Sequence, residues 1–209
     1  MFTIIFLIGV HYLIRYRLNL KKAAEMSNVA IYPKKESEFA SILIPIEYKE
    51  MVPLTKNTRS YQLVKWSTMI ALILIAGLLG IVVTTDWLGS AYFNIVYLFF
   101  AIISAFKHQG NFYVIPNGII LHGKYYPSNQ IKHYQIEQIV RWHELYGYDS
   151  RVDNAYKLTF KVKQRLFQPN YIVVEDFAHL EKITSLLDNQ GIAGIQNIEQ
   201  PTATCEVPK

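Results

Sequence analysis

Six histidines stand at positions 11, 108, 122, 133, 143 and 179, and a single cysteine at 205. Two histidines four residues apart on a helix can grip zinc, and H-E-x-x-H adds a general base. Neither pattern occurs. His122 and His133 are spaced to approach one another across adjacent strands, with Glu137 as a third ligand. A metal site also needs outer partners that orient each imidazole, and none is readable, so solvated strand histidines are the plainer reading. No G-x-S-x-G, P-loop or G-x-G-x-x-G is present. Cys205 stands in a polar tail without a defined base, and the four residues after it (EVPK) are one too many for prenylation. Glu175 and Asp176 read as a strand end followed by a helix cap rather than a catalytic pair. The expectation is no enzyme, no catalytic residue, no metal and no cofactor.

The strongest concentration of charge on one element is cationic. Between residues 156 and 165, Tyr156, Leu158, Phe160 and Val162 alternate with Lys157, Thr159, Lys161, Lys163 and Arg165. Period-two alternation marks a half-buried strand with one charged face. Lys157, Lys161, Lys163 and Arg165 are therefore the candidate contact for an anionic lipid surface or a protein partner. The competing reading is a solvated face kept charged to block edge pairing. Trp142, Tyr146 and Tyr148, near the Gly147 loop, are a second candidate partner site, or else barrel core and rim.

The elements that would carry these residues begin with apolar runs. The chain is 51% hydrophobic and only 18% charged, with a mean hydropathy of +0.13. Disorder over most of its length is thereby excluded. Residues 66–85 (WSTMIALILIAGLLGIVVTT) and 87–106 (WLGSAYFNIVYLFFAIISAF) are uncharged runs flanking Asp86. Each is long enough, at about 1.5 Å per residue, to cross roughly 30 Å of hydrocarbon, so a transmembrane hairpin over 66–106 is expected. Residues 1–20 predict a further transmembrane helix, its apolar run 1–14 short but followed by Arg15 and Arg17, which can snorkel. The alternative there is a helix lying in the interface. His11 and Asn94 are the candidate intramembrane polar groups.

Charge placement gives an orientation. Residues 15–66 carry ten Lys and Arg against five acids, residues 107–209 carry eleven, and the hairpin turn carries none. The positive-inside rule then predicts a multi-pass plasma-membrane protein with its N-terminus outside and its C-terminal domain cytoplasmic. Residues 21–65 form a cytoplasmic loop in which Pro33, Pro45 and Pro53 preclude one long helix. The apolar stretch at 39–48 predicts a short strand or surface segment packed on the bilayer or on the C-terminal domain.

From residue 107 to 192 the pattern changes to short strands and turns. Asn117-Gly118 between two apolar runs signals a hairpin. Residues 134–143 alternate, with Gln138 as an interruption, and residues 171–175 read as a further strand. Asp176 precedes Phe177, Leu180, Ile183, Leu186 and Leu187 at helical spacing, and Gly191 supplies a stop. Residues 193–209 are expected to be a disordered tail. The succession FYVIPNGIIL, IKHYQIEQI, YKLTFKV and YIVVEDFAHLEKITSLLDNQGI resembles the bacterial pleckstrin-homology-like domains attached to membrane hairpins. That resemblance covers about residues 65–192 and implies a PH-like split β-barrel closed by one α-helix, cytoplasmic and without catalysis. Residues 1–64 depart from its simplest form.

Taken together, the expected fold class is an α+β membrane protein, and the expected function a non-enzymatic, membrane-anchored interaction module. Its partners would be membrane lipids and an unknown membrane or cytoplasmic protein, with a homo-oligomer left open and no nucleic acid. The alternative is a small component of a transport or immunity-type system acting through its transmembrane helices.

Overall fold

The computed structural model describes residues 2–45, 48–84, 110–163 and 170–197. The chain divides into two compact units that interleave in sequence. One comprises residues 1–34 and 51–126, the other residues 35–50 and 127–209.

In the first unit α1 (Phe2–Met26) packs against α3 (Arg59–Thr84). Leu13, Leu20, Ala23 and Ala24 are buried on α1, and Thr68, Ala71 and Ile75 on α3. These recur at three, four and seven residues, so each set lies along one helical face. The alanines leave room for the backbones to come close. Both helices extend past the expected limits: α1 continues to Met26 and α3 starts at Arg59.

The same unit holds a three-stranded sheet in the order β2-β3-β4, with β2 at Phe112–Ile115, β3 at Gly118–Leu121 and β4 at Lys124–Pro127. Ile115 pairs with Gly118, so Pro116 and Asn117 alone make the turn. Every residue of β2 and β3 is buried, which explains two apolar runs without alternation. Tyr32 bridges to Val114, whose amide donates to the Tyr32 carbonyl at 2.8 Å. The Leu54 amide donates to the Tyr113 hydroxyl oxygen at 2.6 Å, fixing the stretch that leads into α3.

The second unit is built on a five-stranded sheet, order β1-β7-β6-β5-β8. Its strands are β1 (Ile42–Leu43), β5 (Ile131–Gln138), β6 (Tyr156–Val162), β7 (Tyr171–Val174) and β8 (Ala193–Asn197). All pairings are antiparallel except β5 with β8. In β6, Leu158, Phe160 and Val162 are buried while Lys161 is exposed, the alternation that defines its two faces. The apolar stretch at 39–48 finds its partner here: β1 adds to β7, with Ile42 opposite Val174 and Leu43 opposite Val173. Short α2 (Glu36–Ala40) precedes β1. Helix α4 (Phe177–Asp188) buries Leu180, Ile183 and Leu187 and ends before Gly191, whose φ of 73° suits glycine. Asp176 holds the N-cap position with extended dihedrals but makes no side-chain capping bond.

Three expectations are corrected. First, among the described residues no helix is long and apolar enough to cross a membrane. In α1 the apolar stretch ends at Arg15, and Arg17, Lys21, Lys22 and Glu25 follow within the same helix. Helix α3 opens with polar turns containing Arg59, Gln62 and Lys65, and the described side chains of its uncharged run extend from Trp66 to Gly77, with Gly80. Among the described side chains neither supplies the roughly 20 consecutive apolar residues that a span needs. The α+β sheets stand, but the transmembrane part of the fold class, and the membrane and multi-pass plasma-membrane assignments built on it, lose their basis. The run at 87–106, with Asn94, lies outside the described residues. Second, residues 193–197 of the expected disordered tail form β8. Gly194 sits opposite Tyr134 there, where a Cβ would overlap the Tyr134 ring. Third, β5 stops at Gln138, so Trp142 leaves the sheet.

Candidate interaction surface

Residues 139–155 connect β5 to β6 and form an ordered loop rather than a tight turn. Its base is closed by two backbone bonds, Ile139 N–H to the Ala155 carbonyl at 2.8 Å and Asn154 N–H to the Ile139 carbonyl at 3.0 Å. Ile139, Leu145, Val152 and Ala155 point inward and pack with Leu43 of β1 and Val173 of β7 in a buried cluster. Polar caps finish the turns. Asp153 accepts from the Gly147 amide at 2.7 Å, Asp149 accepts from the Arg151 amide at 2.9 Å, and His143 Nδ1 accepts from the Leu145 amide at 3.0 Å. Gly147 has a φ of 84°, which only glycine adopts without strain.

Arg151 ties this loop to two distant segments. Its Nε donates to Glu175 at 3.1 Å and its Nη2 also reaches that carboxylate. Nη1 donates to Glu50 at 2.8 Å, and Nη2 to the Ala40 carbonyl at 2.9 Å. Glu175 and Glu50 hold the guanidinium firmly in its charged form. One planar fork thus joins the end of α2, the segment after β1 and the end of β7.

On this frame two large rings face solvent. Trp142 is 79% exposed and Tyr148 69% exposed. Tyr148 lies against Tyr48, ring centroids 6.0 Å apart. Tyr48 and Tyr146 are partly buried against the cluster beneath, as is Tyr171. The Tyr48 hydroxyl is pushed up to about 12, first by burial and then by its hydrogen bond with Tyr171. The two exposed rings make the loop's surface amphipathic, with apolar faces and polar tips able to hydrogen-bond.

The basic strand residues are not one free patch. Lys157 is opposite Glu137 in the β5–β6 register. Its Nζ lies 3.3 Å from Glu137 and 2.7 Å from Glu144, and 5.3 Å from the Tyr171 ring centre. Burial opposes the charge on Lys157, but Glu144 and Glu137 outweigh it, so its pKa rises. Its ammonium is thereby committed to the loop. Lys163 Nζ donates to the Asn129 carbonyl at 3.0 Å. Lys161 is exposed, and Arg165 lies outside the described residues. His11 is exposed on α1. Glu137 is met by His143 Nε2 at 3.4 Å rather than by a metal-binding pair of histidines. Among the described residues no group of three or more His, Cys, Asp and Glu side chains could hold a metal ion.

Sequence reasoning marked Trp142, Tyr146 and Tyr148 but missed Arg151, Tyr48 and Tyr171. Arg151 carries no local signal, because Glu175 is 24 positions away and Glu50 is 101. Tyr48 belongs to a segment whose pairing with β7 is invisible until the sheet is built. Comparison with protein-family models, curated proteins and solved structures gives no match for this chain.

Proposed function

We propose that the protein is a non-enzymatic interaction module that engages a protein partner through the 139–155 loop, with Trp142 and Tyr148 as anchors. The observation that carries this reading is the exposure of two large aromatic rings on a loop held by a buried apolar cluster and a four-bond arginine fork. Trp, Tyr and Arg dominate binding energy at protein interfaces, and a loop already ordered loses little further entropy when it docks. The PH-like resemblance supports it in chain order: a sheet of three strands, three antiparallel strands, then a helix. The basic strand is the weaker candidate, since Lys157 is held by two carboxylates.

The test is photocrosslinking in intact cells from an unnatural residue at 142, 148 or 161. A discrete crosslinked protein is expected from 142 and 148 and not from 161. Trp142→Ala with Tyr148→Ala should remove it without lowering the unfolding midpoint, because neither ring is buried. Crosslinking from 161 alone would transfer the function to the basic strand and sink the loop reading.

A further inference from the structure

Within the first unit a cavity of 580 Å³ opens between α1 and α3. That volume lies within the range of about 300–1,000 Å³ usual for small-molecule sites. Its walls are of two kinds. Arg17, Lys21 and Lys65 line it with cations, while Ile14, Leu18 and Leu72 line it with hydrocarbon. On α1 the two kinds form neighbouring rows: Ile14 and Leu18 are four residues apart, and so are Arg17 and Lys21. Side chains four apart sit one above the other, so an apolar row runs beside a basic one. From α3, Lys65 adds a cation and Leu72, about two turns further on, adds an apolar group.

Charge at the site is unbalanced. Lys56 also lines the cavity, but its Nζ is 2.8 Å from Glu25 and that pair neutralises itself. Lys21 also acts on Glu25 electrostatically, without an ion-pair contact. Among the described residues, Arg17, Lys21 and Lys65 have no carboxylate within ion-pair distance. Three cations facing one concavity repel each other, and an anion seated there would relieve that repulsion. Asn57 and Tyr61 at the same wall supply neutral hydrogen-bonding groups.

We propose that this cavity binds one anionic amphiphile, its phosphate or carboxylate head on Arg17, Lys21 and Lys65 and its alkyl chain along Ile14, Leu18 and Leu72. The head alone would leave the apolar wall wet, and a neutral amphiphile would leave the cations unmatched. The inference is independent of the 139–155 loop and survives or fails without it.

Calorimetric titration of the full chain decides it, using dodecyl phosphate, dodecyl maltoside and inorganic phosphate, each amphiphile below its micelle threshold. Saturable binding of one dodecyl phosphate per chain is expected, at least about tenfold tighter than either of the other two probes. The triple variant Arg17→Gln, Lys21→Gln, Lys65→Gln should weaken it by at least about tenfold. Leu18→Gln, at a position 60% exposed and therefore tolerant of change, should do the same from the apolar wall without adding a charge. Inorganic phosphate binding as tightly as dodecyl phosphate would make this a plain anion site and overturn the proposal. Equal binding of dodecyl maltoside, or an affinity unmoved by both variants, would overturn it as well.

Discussion

Each unit gathers cations, and the two sets have opposite surroundings. In the second unit Arg151 meets Glu175 and Glu50, and Lys157 meets Glu137 and Glu144. In the first, Arg17, Lys21 and Lys65 face a cavity with no acid among its lining residues. The first arrangement builds structure, because a cation flanked by carboxylates fixes the segments that carry them. The second builds a site, because charge without a carboxylate partner is available to a ligand; among the described residues Lys65 meets only the Trp66 ring, 5.9 Å away, which leaves its charge uncompensated. The number of lysines and arginines does not separate these cases; the position of the carboxylates does.

Removing Arg151 is the sharpest way to break the comparison. Arg151→Ala takes away the bonds to Glu175, Glu50 and the Ala40 carbonyl together. The guanidinium is about one-third exposed, so solvent screening reduces the loss. A destabilisation of about 1–3 kcal/mol is expected in urea unfolding. Arg151→Lys should recover less than half, since an ammonium cannot fork to two carboxylates and a carbonyl at once. Faster amide exchange across residues 35–45 should accompany the loss. An unchanged midpoint would mean the fork holds nothing together.

Substituting one cation from each set sharpens the contrast. Lys157→Gln leaves Glu137 and Glu144 without their shared ammonium and should cost about 1 kcal/mol. Arg17→Gln, with no carboxylate to abandon, should stay within about 0.5 kcal/mol of the parent. Equal losses at both positions would erase the distinction between structural and ligand-facing cations.

The same contrast explains what could be read beforehand. Local patterns were legible. The alternation of Leu158, Phe160 and Val162 marked β6, Asn117-Gly118 marked the β2–β3 turn, and Leu180, Ile183 and Leu187 marked α4. Features set by distant partners were not. Lys157 reads as one of a row of exposed lysines until Glu144, in the preceding loop, is seen to fold back onto it. Apolar length misled over 1–20, because the apolar stretch of α1 ends at Arg15 and the same helix runs on through Arg17, Lys21, Lys22 and Glu25. Residues 193–197 are polar enough to suggest a tail, yet Gly194 lets the chain run close over Tyr134 and pair with β5. The cavity between α1 and α3 needs two helices brought together, so nothing in either helix alone announces it.

Alkaline unfolding tests the tyrosines beneath the loop. Burial and Tyr171 raise the Tyr48 hydroxyl from 10.0 to about 12. A group with a raised folded-state pKa holds its proton more tightly when folded. Its contribution is complete below pH 10.0 and is lost as pH rises from there towards about 12. Lys157, also raised, adds a loss in the same direction above 10.5. Stability should therefore fall between about pH 10 and about pH 12, and Tyr48→Phe should fall less steeply. Parallel curves for the two proteins would show that Tyr48 titrates alike in the folded and unfolded chain.

The smallest effect expected is at Glu144, where the sign reverses. Its hydrogen bond with Lys157 holds the carboxyl below its ordinary value of 4.5. A depressed folded-state pKa gives stability that is present above 4.5 and lost as pH falls through the folded value. Glu144 is 71% exposed, so water and salt screen the pair, and Glu144→Gln should cost below about 0.5 kcal/mol at neutral pH. The acid limb of the variant should be correspondingly shallower. Raising salt to about 1 M should remove the difference between parent and Glu144→Gln while leaving most of the Arg151→Ala loss, because short-range forked bonds survive screening better than an exposed pair does. If salt abolished both differences equally, the Arg151 fork would be no more than another surface ion pair, and the line drawn between the two sets of cations would have to be redrawn.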